Sequence, residues 1–168
     1  MRTYVKGYYI KTQHRLKSFD YSSKNSYFLT FNTKDNKRIL SEIKRSDDGL
    51  HTLLTLTPEG EAVDYFIRRI EESYGVELDA YVIMPNHVHM MVTVPYHGAS
   101  ETQADSVIAR LVRSTKTLVS KKLGRQIWQD DYYDVIADTE KIYDRCLDYI
   151  RDNPGVWLRD NGAEPQIE

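Results

Sequence analysis

Ala80-Tyr81-Val82-Ile83-Met84-Pro85-Asn86-His87-Val88-His89-Met90-Met91-Val92-Thr93-Val94 reads as two apolar strands joined at Met84-Pro85-Asn86-His87. Pro and Asn are turn residues, and the runs on either side are β-branched and apolar. Side chains of the second strand alternate between faces, so His87, His89, Met91 and Thr93 share one and Val88, Met90, Val92 and Val94 the other. Two imidazoles therefore project side by side from an anchored strand, directly after a turn. Neutral imidazole is the commonest metal ligand among side chains, and a strand holds two ligands more rigidly than a loop. On its own, His-x-His in a strand is most often a half-exposed pair without chemistry. A stretch far along the chain gives it a partner.

On the N-terminal side, Thr57-Pro58-Glu59-Gly60-Glu61 is a helix start, with Thr at the N-cap, Pro at the first helical position and acids in the first turn. That helix is expected to run to about Tyr74, with Gly75 as its stop. Further back, Ser26–Asn32 is a strand on β-propensity. Arg38 to Ile43 and Leu50 to Leu56 form a hairpin around Ser46-Asp47-Asp48-Gly49. Residues 1–20 read as a basic, Tyr-rich arm carrying Arg15 and Lys17.

On the C-terminal side, Ala104 to Leu123 is a long amphipathic helix closed by Gly124. With Val107 at 0°, Leu118, Leu111, Ile108, Val119 and Val112 fall between roughly 20° and 140°, and Arg110, Arg113, Lys116 and Lys121 between roughly 180° and 320°. That basic half contains no acid, whereas a merely solvated helix mixes signs. Cations and hydroxyls without acids suit a phosphate backbone. An extended segment over Gln126–Gln129 and Tyr132–Ile136 follows. The last helix is expected over Thr139 to Asn153, ended by Pro154-Gly155, with a loose tail from about residue 158 to 168.

In that last helix, with Ile142 at 0°, Tyr149 lies at about 340° and Asn153 at about 20°, at the edge of the apolar arc. Tyr143, at about 100°, belongs to the packing. A phenolate can act as a nucleophile, although a free tyrosine, with a pKa of about 10, is almost wholly protonated at neutral pH. Two His nitrogens and one carboxamide oxygen would make a mixed site with open positions, one turn from the nucleophile.

The chain has 168 residues and reads as a single domain, 1–168. Its one cysteine, Cys146, excludes an intrachain disulfide and fits a reducing compartment. No apolar run has the length of a membrane span and no leader is visible, so the expectation is a cytoplasmic protein without a membrane partner. Net charge is −2 but unevenly spread: residues 1–45 carry 11 Lys/Arg against 3 Asp/Glu, and residues 110–125 carry 6 against none. Two basic blocks in a mildly acidic protein point to a localised polyanion surface.

Met84-Pro85-Asn86-His87-Val88-His89 resembles the HUH motif (His, hydrophobic, His) of single-tyrosine transposases of insertion-sequence type, which act on single-stranded DNA. Ile127-Trp128-Gln129 with Tyr132-Tyr133-Asp134, then Asp148-Tyr149-Ile150-Arg151-Asp152-Asn153-Pro154, resembles the REP-associated tyrosine transposase branch, as do Arg15-Leu16-Lys17, Asp20-Tyr21-Ser22 and Tyr27-Phe28-Leu29-Thr30. The resemblance implies an α+β, ferredoxin-like antiparallel sheet with the HUH strand central and helices packed on one face. It implies His87, His89 and Asn153 as ligands of Mg²⁺ or Mn²⁺ and Tyr149 as nucleophile. The implied reaction is cleavage and rejoining of single-stranded DNA at hairpin-containing ends through a 5′-phosphotyrosine. DNA grip is then expected from Arg15, Lys17, Arg110, Arg113, Lys116 and Lys121. The family contains both monomers and homodimers with exchanged tyrosines. Two other readings stand beside this one: a domesticated DNA-binding protein with a host role, and a metal-dependent nuclease that does not use the tyrosine.

Overall fold

A computed structural model describes residues 7–10, 26–95 and 101–161, the side chains of 101–103 excepted. Arg15, Lys17 and most of the basic arm lie outside the described residues. The strands are β1 (Tyr8–Ile10), β2 (Ser26–Asn32), β3 (Ser41–Arg45), β4 (Thr52–Leu56), β5 (Glu77–Ile83), β6 (His87–Thr93) and β7 (Tyr133–Ile136). The helices are α1 (Pro58–Ile67), α2 (Ile70–Tyr74), α3 (Glu101–Leu123) and α4 (Glu140–Asn161).

Among the described residues the main sheet has five strands in the order β1-β5-β6-β2-β7, and all four of its pairings are antiparallel. Taken in chain order, β2-α1-β5-β6-α3-β7 is the β-α-β-β-α-β unit of a ferredoxin-like fold, with β1 added beside β5. The His-bearing strand, β6, is central, as expected. Strands β3 and β4 form a separate two-stranded hairpin.

The alternation along β6 divides the interior. Val88, Met90 and Val92 join Tyr27, Leu29 and Phe31 of β2 in one core, sealed by Val63 and Ile67 of α1 and by Ile108, Leu111, Val112 and Val119 of α3. Met91 joins Ala80 and Val82 of β5 in a second core on the opposite face, with Tyr143 and Ile150 of α4. The ferredoxin-like helices thus share one face, as expected, while α4 covers part of the other, over β5, β6 and the β3–β4 hairpin.

Helix α1 starts as its sequence directs: Thr57 caps it by accepting from Gly60 N at 3.1 Å. Gly60 is required by a close approach, because a Cβ there would stand 1.9 Å from the Leu40 carbonyl oxygen. The helix does not run unbroken to Tyr74; it closes at Arg68 and resumes at Ile70. Arg68 is drawn to buried Asp64 (Nε–Oδ2 2.8 Å) and to the Tyr81 hydroxyl at 3.2 Å, and Arg69 Nη1 donates to the Tyr65 carbonyl at 2.7 Å. Gly75 then ends α2 in the left-handed region (φ 63°).

Two further expectations need correction. Leu118 is 41 % exposed rather than buried; it lies at the edge of the apolar arc, and Thr115, nearer the arc's centre, is buried instead. Pro154 does not end α4, which continues to Asn161, so residues 158–161 are helical rather than loose; residues 162–168 lie outside the described residues. Proline removes one backbone donor, but the turns beyond it have anchors of their own. Trp157 packs onto the second core, the Arg38 guanidinium lies 5.1 Å from its ring centre, and Arg38 Nη2 donates to Asn161 Oδ1 at 2.6 Å.

Candidate functional site

The Met84–His87 turn feeds both imidazoles onto the α4 side of β6. Their ring centroids are 4.5 Å apart. Each ring is oriented by an oxygen on Nδ1. Asn86 Oδ1 lies 2.6 Å from His87 Nδ1, and because a carboxamide oxygen only accepts, that nitrogen carries the proton. Thr30 Oγ1, directly across the strand pair from His89, lies 2.7 Å from His89 Nδ1. At His87 this leaves Nε2 as the lone-pair donor, the arrangement that metal-binding histidines use; His89 adopts the same form when its Nδ1–H donates to the Thr30 hydroxyl.

Burial pushes the His87 pKa from 6.5 down to about 4. Burial, with the neighbouring His87, pushes His89 down to about 3. Both rings are therefore neutral at pH 7, the protonation state that coordination requires. Among the described residues no third His, Cys, Asp or Glu completes a metal-binding cluster with them.

Helix α4 brings Tyr149 to this pair. Its ring meets His89 edge-on at 5.2 Å and Phe28 at 5.8 Å, and Phe28 in turn stacks on His89 at 5.2 Å. Tyr149 remains 54 % exposed, so one side of the ring packs and the other faces solvent. Asn153, one turn on, is buried. Trp157, another turn on, lies 6.0 Å from the His87 ring. The remaining tyrosines of this region are disposed differently. Tyr143 is buried in the second core, Tyr132 packs against the first, and Tyr133 stands exposed on β7. Of these four, Tyr149 is the one whose ring meets an imidazole of the pair.

The basic helix presents a divided picture. Arg110, Arg113 and Lys121 of α3 are exposed, on the opposite side of the sheet from the histidines. Lys116 is not one of this set. Its ammonium donates to the carbonyls of Gln129, Asp130 and Asp131 at 2.8, 3.2 and 2.7 Å, which consumes all three of its donors. Burial lowers its pKa, opposed by the Asp131 and Asp130 charges. Lys116 fastens the 129–131 loop to α3, and its donors are then not free for a phosphate.

Sequence reasoning singled out the imidazoles, the tyrosine and the asparagine but not the residues beside them; the structure brings Tyr149 against His89, and Asn153 is buried one turn further along α4. Asn86, in the turn before His87, was readable as a local partner. Thr30, Phe28 and Trp157 were not, because their places depend on strand register and on α4 outlasting Pro154.

A family model described as "Transposase IS200 like" matches residues 51–153, from the β3–β4 hairpin to Asn153. An uncharacterised protein of Haemophilus influenzae is 26 % identical over 182 residues, covering 94 % of this chain and 95 % of that one. The REP-associated tyrosine transposase of Escherichia coli is 25 % identical over 100 residues, covering 59 % of this chain and 56 % of that one. A solved REP-associated tyrosine transposase bound to a REP hairpin superposes with a TM-score of 0.58 at 19 % identity, over 87 % of this chain and 74 % of that one, and shares its fold. The chain belongs to the IS200-like transposase family and resembles its REP-associated tyrosine transposases.

Proposed function

We propose that this transposase cleaves and rejoins single-stranded DNA beside a hairpin, with Tyr149 as nucleophile and His87, His89 and Asn153 holding a divalent cation, Mg²⁺ or Mn²⁺. The observation that carries the reading is the Tyr149 ring, half-exposed and 5.2 Å from a His89 ring kept neutral by burial. The donor set fits a cation. Two neutral imidazoles have Nδ1 engaged, His87 with Nε2 to spare and His89 likewise when Thr30 accepts from its Nδ1, and a buried carboxamide sits on the helix that crosses them. Imidazole favours Mn²⁺ over Mg²⁺ by softness. What a cation supplies at such a site is polarisation of a phosphoryl oxygen and orientation of the phosphate for in-line attack.

The chain's own residues do the rest. The Tyr149 hydroxyl gives up its proton as its oxygen bonds to phosphorus, and the bond to the 3′ oxygen breaks. The products are a 5′-phosphotyrosine and a strand ending in a protonated 3′-OH. Rejoining is the reverse: a 3′-OH attacks the phosphotyrosine and the phenol is released, so the phosphodiester energy is conserved and no nucleotide triphosphate is needed. Phe28 and Trp157 wall the site and limit water, which would otherwise hydrolyse the intermediate. The duplex stem of a hairpin is gripped electrostatically by Arg110, Arg113 and Lys121 across the sheet.

The test is a denaturing gel of the protein with end-labelled, hairpin-containing single strands and Mn²⁺. A label that migrates with the protein, and disappears in Tyr149→Phe although that variant still binds the hairpin, is the expected result. Cleavage without an adduct would indicate a metal-dependent nuclease, and binding without cleavage a DNA-binding protein. Either outcome replaces the proposal.

A further inference from the structure

The site described above uses only part of the sheet face on which the histidines stand. Strand register shows what lies beside it. Tyr133 of β7 pairs with Thr30 of β2, and Thr30 pairs with His89 of β6, so the three side chains form one cross-strand row on one face. Val135 pairs with Phe28, and Phe28 with Met91, making the next row of that face. Tyr133 is 66 % exposed and Val135 51 %. Helix α4 covers the β5–β6 side of the face, and these two residues stand uncovered on the β2–β7 side. They are continuous with the centre, because Phe28 touches both His89 and Tyr149.

We propose that Tyr133, with Phe28 and Val135 beside it, forms a platform on which an unpaired base of the DNA strand stacks, next to the phosphate that Tyr149 attacks. The inference rests on the reading of Tyr149 and the histidine pair as the reaction centre. An aromatic and a β-branched side chain left exposed on an edge strand are otherwise a liability. A contiguous apolar patch beside a functional centre marks an interaction surface. The chemistry of the patch selects its occupant. Neither Tyr133 nor Val135 carries charge, so the patch does not grip phosphate; a phenol ring takes the face of any base. Tyr133 lies two strand spacings, about 10 Å, from His89, a distance suited to a nucleotide near the reacting one rather than to the reacting one itself. Stacking there would hold the single strand at a fixed offset from the scissile bond, independently of the cations on the far side of the sheet.

The experiment uses the full chain in a Tyr149→Phe background, which removes covalent capture. The probe is a hairpin with a short single-stranded flank carrying 2-aminopurine at successive positions, beside the same hairpin without a flank. The parent should quench 2-aminopurine at one flank position. Tyr133→Ala should abolish that quench and weaken binding of the flanked hairpin by roughly tenfold, with the flankless hairpin bound as before. Tyr133→Phe, which keeps the ring, should behave as the parent. If Tyr133→Ala binds the flanked hairpin and quenches it as the parent does, the platform is wrong. If instead Tyr133→Ala abolishes a concentration-dependent dimer without changing the quench, the patch belongs to a second copy of the chain and the platform is equally wrong. Adduct formation in chains with Tyr149 intact separates the two readings: an adduct on Tyr149 with no Tyr133-dependent quench breaks the platform alone. A Tyr133-dependent quench with no adduct breaks the reaction assignment and leaves the strand-binding surface in place.

Discussion

Helices α3 and α4 are of nearly equal length, 23 and 22 residues, and they cover opposite faces of one sheet. Helix α3 seals an apolar core and turns outward a basic face without acids; α4 covers the histidine face and mixes its signs, with Arg151 paired to Asp148 at 2.8 Å and to Asp152 at 3.1 Å. The first has the charge pattern that suits a polyanion. The second pairs part of its own charge and, among the described residues, carries the one tyrosine whose ring meets the His89 imidazole. On the proposed reading, grip and chemistry lie on opposite sides of the sheet, and mutation should remove either one and leave the other.

The largest expected effect tests the histidine face. His89→Ala should lower adduct yield at least about a hundredfold, since loss of an outer-shell partner alone typically costs ten- to hundredfold. The hairpin should still bind, as checked by gel shift, and calorimetric titration should show Mn²⁺ affinity lost. Thr30→Val, which removes only the oxygen on Nδ1, should fall between His89→Ala and wild type on both readouts. If adducts form normally in His89→Ala, the two faces do not divide the labour as described.

The second effect is on stability. Both imidazoles have folded pKa values well below 6.5, so the folded state refuses protons that the unfolded chain accepts. Stability is therefore fully present above the unfolded pKa and falls as pH drops through 6.5 toward about 4. Between pH 7 and 5 each imidazole should cost about 1–2 kcal/mol. Thermal melts should show this decline in wild type and a shallower one in His87→Ala/His89→Ala; parallel curves would mean that the rings are not buried neutral.

Lys116→Met sharpens the contrast from the α3 side. Losing the three carbonyl contacts should destabilise the protein by about 1–2 kcal/mol, a figure discounted for partial exposure. The salt dependence of hairpin binding should change little, because the ammonium's donors are held by carbonyls and make no phosphate contact. A flattened salt slope would return Lys116 to the DNA-binding set. The smallest effect belongs to Arg110→Glu/Arg113→Glu. Binding should weaken about tenfold near physiological salt, with a slope reduced by about one per lost phosphate contact. Cleavage of DNA that is already bound should be unchanged, and binding equal to wild type would make α3 a solvated helix.

Much of this was legible from local pattern. Period-two alternation sorted the β6 side chains correctly onto two faces, because both faces are buried and a one-residue slip would exchange them. The Thr57-Pro58 start was legible because a cap is a contact within one turn. What escaped was non-local. Helical angles place Lys116 among the cations, but only the return of the 126–132 segment shows that carbonyls claim it. Pro154 signals a stop by its missing donor, and the helix continues because Trp157 and Asn161 find Arg38, 123 positions away from Asn161 in sequence. Thr30 bears on His89 only once β2 and β6 are in register.

The central claim is that one tyrosine among 13 is the nucleophile, and it can be tested directly. Wild-type protein is trapped on a hairpin-containing single strand with Mn²⁺, digested with nuclease and protease, and the nucleotide-bearing peptide is sequenced by mass spectrometry. The account predicts the nucleotide on Tyr149. A nucleotide on Tyr132, Tyr133 or Tyr143 would contradict it, and with it the role given to Asn153.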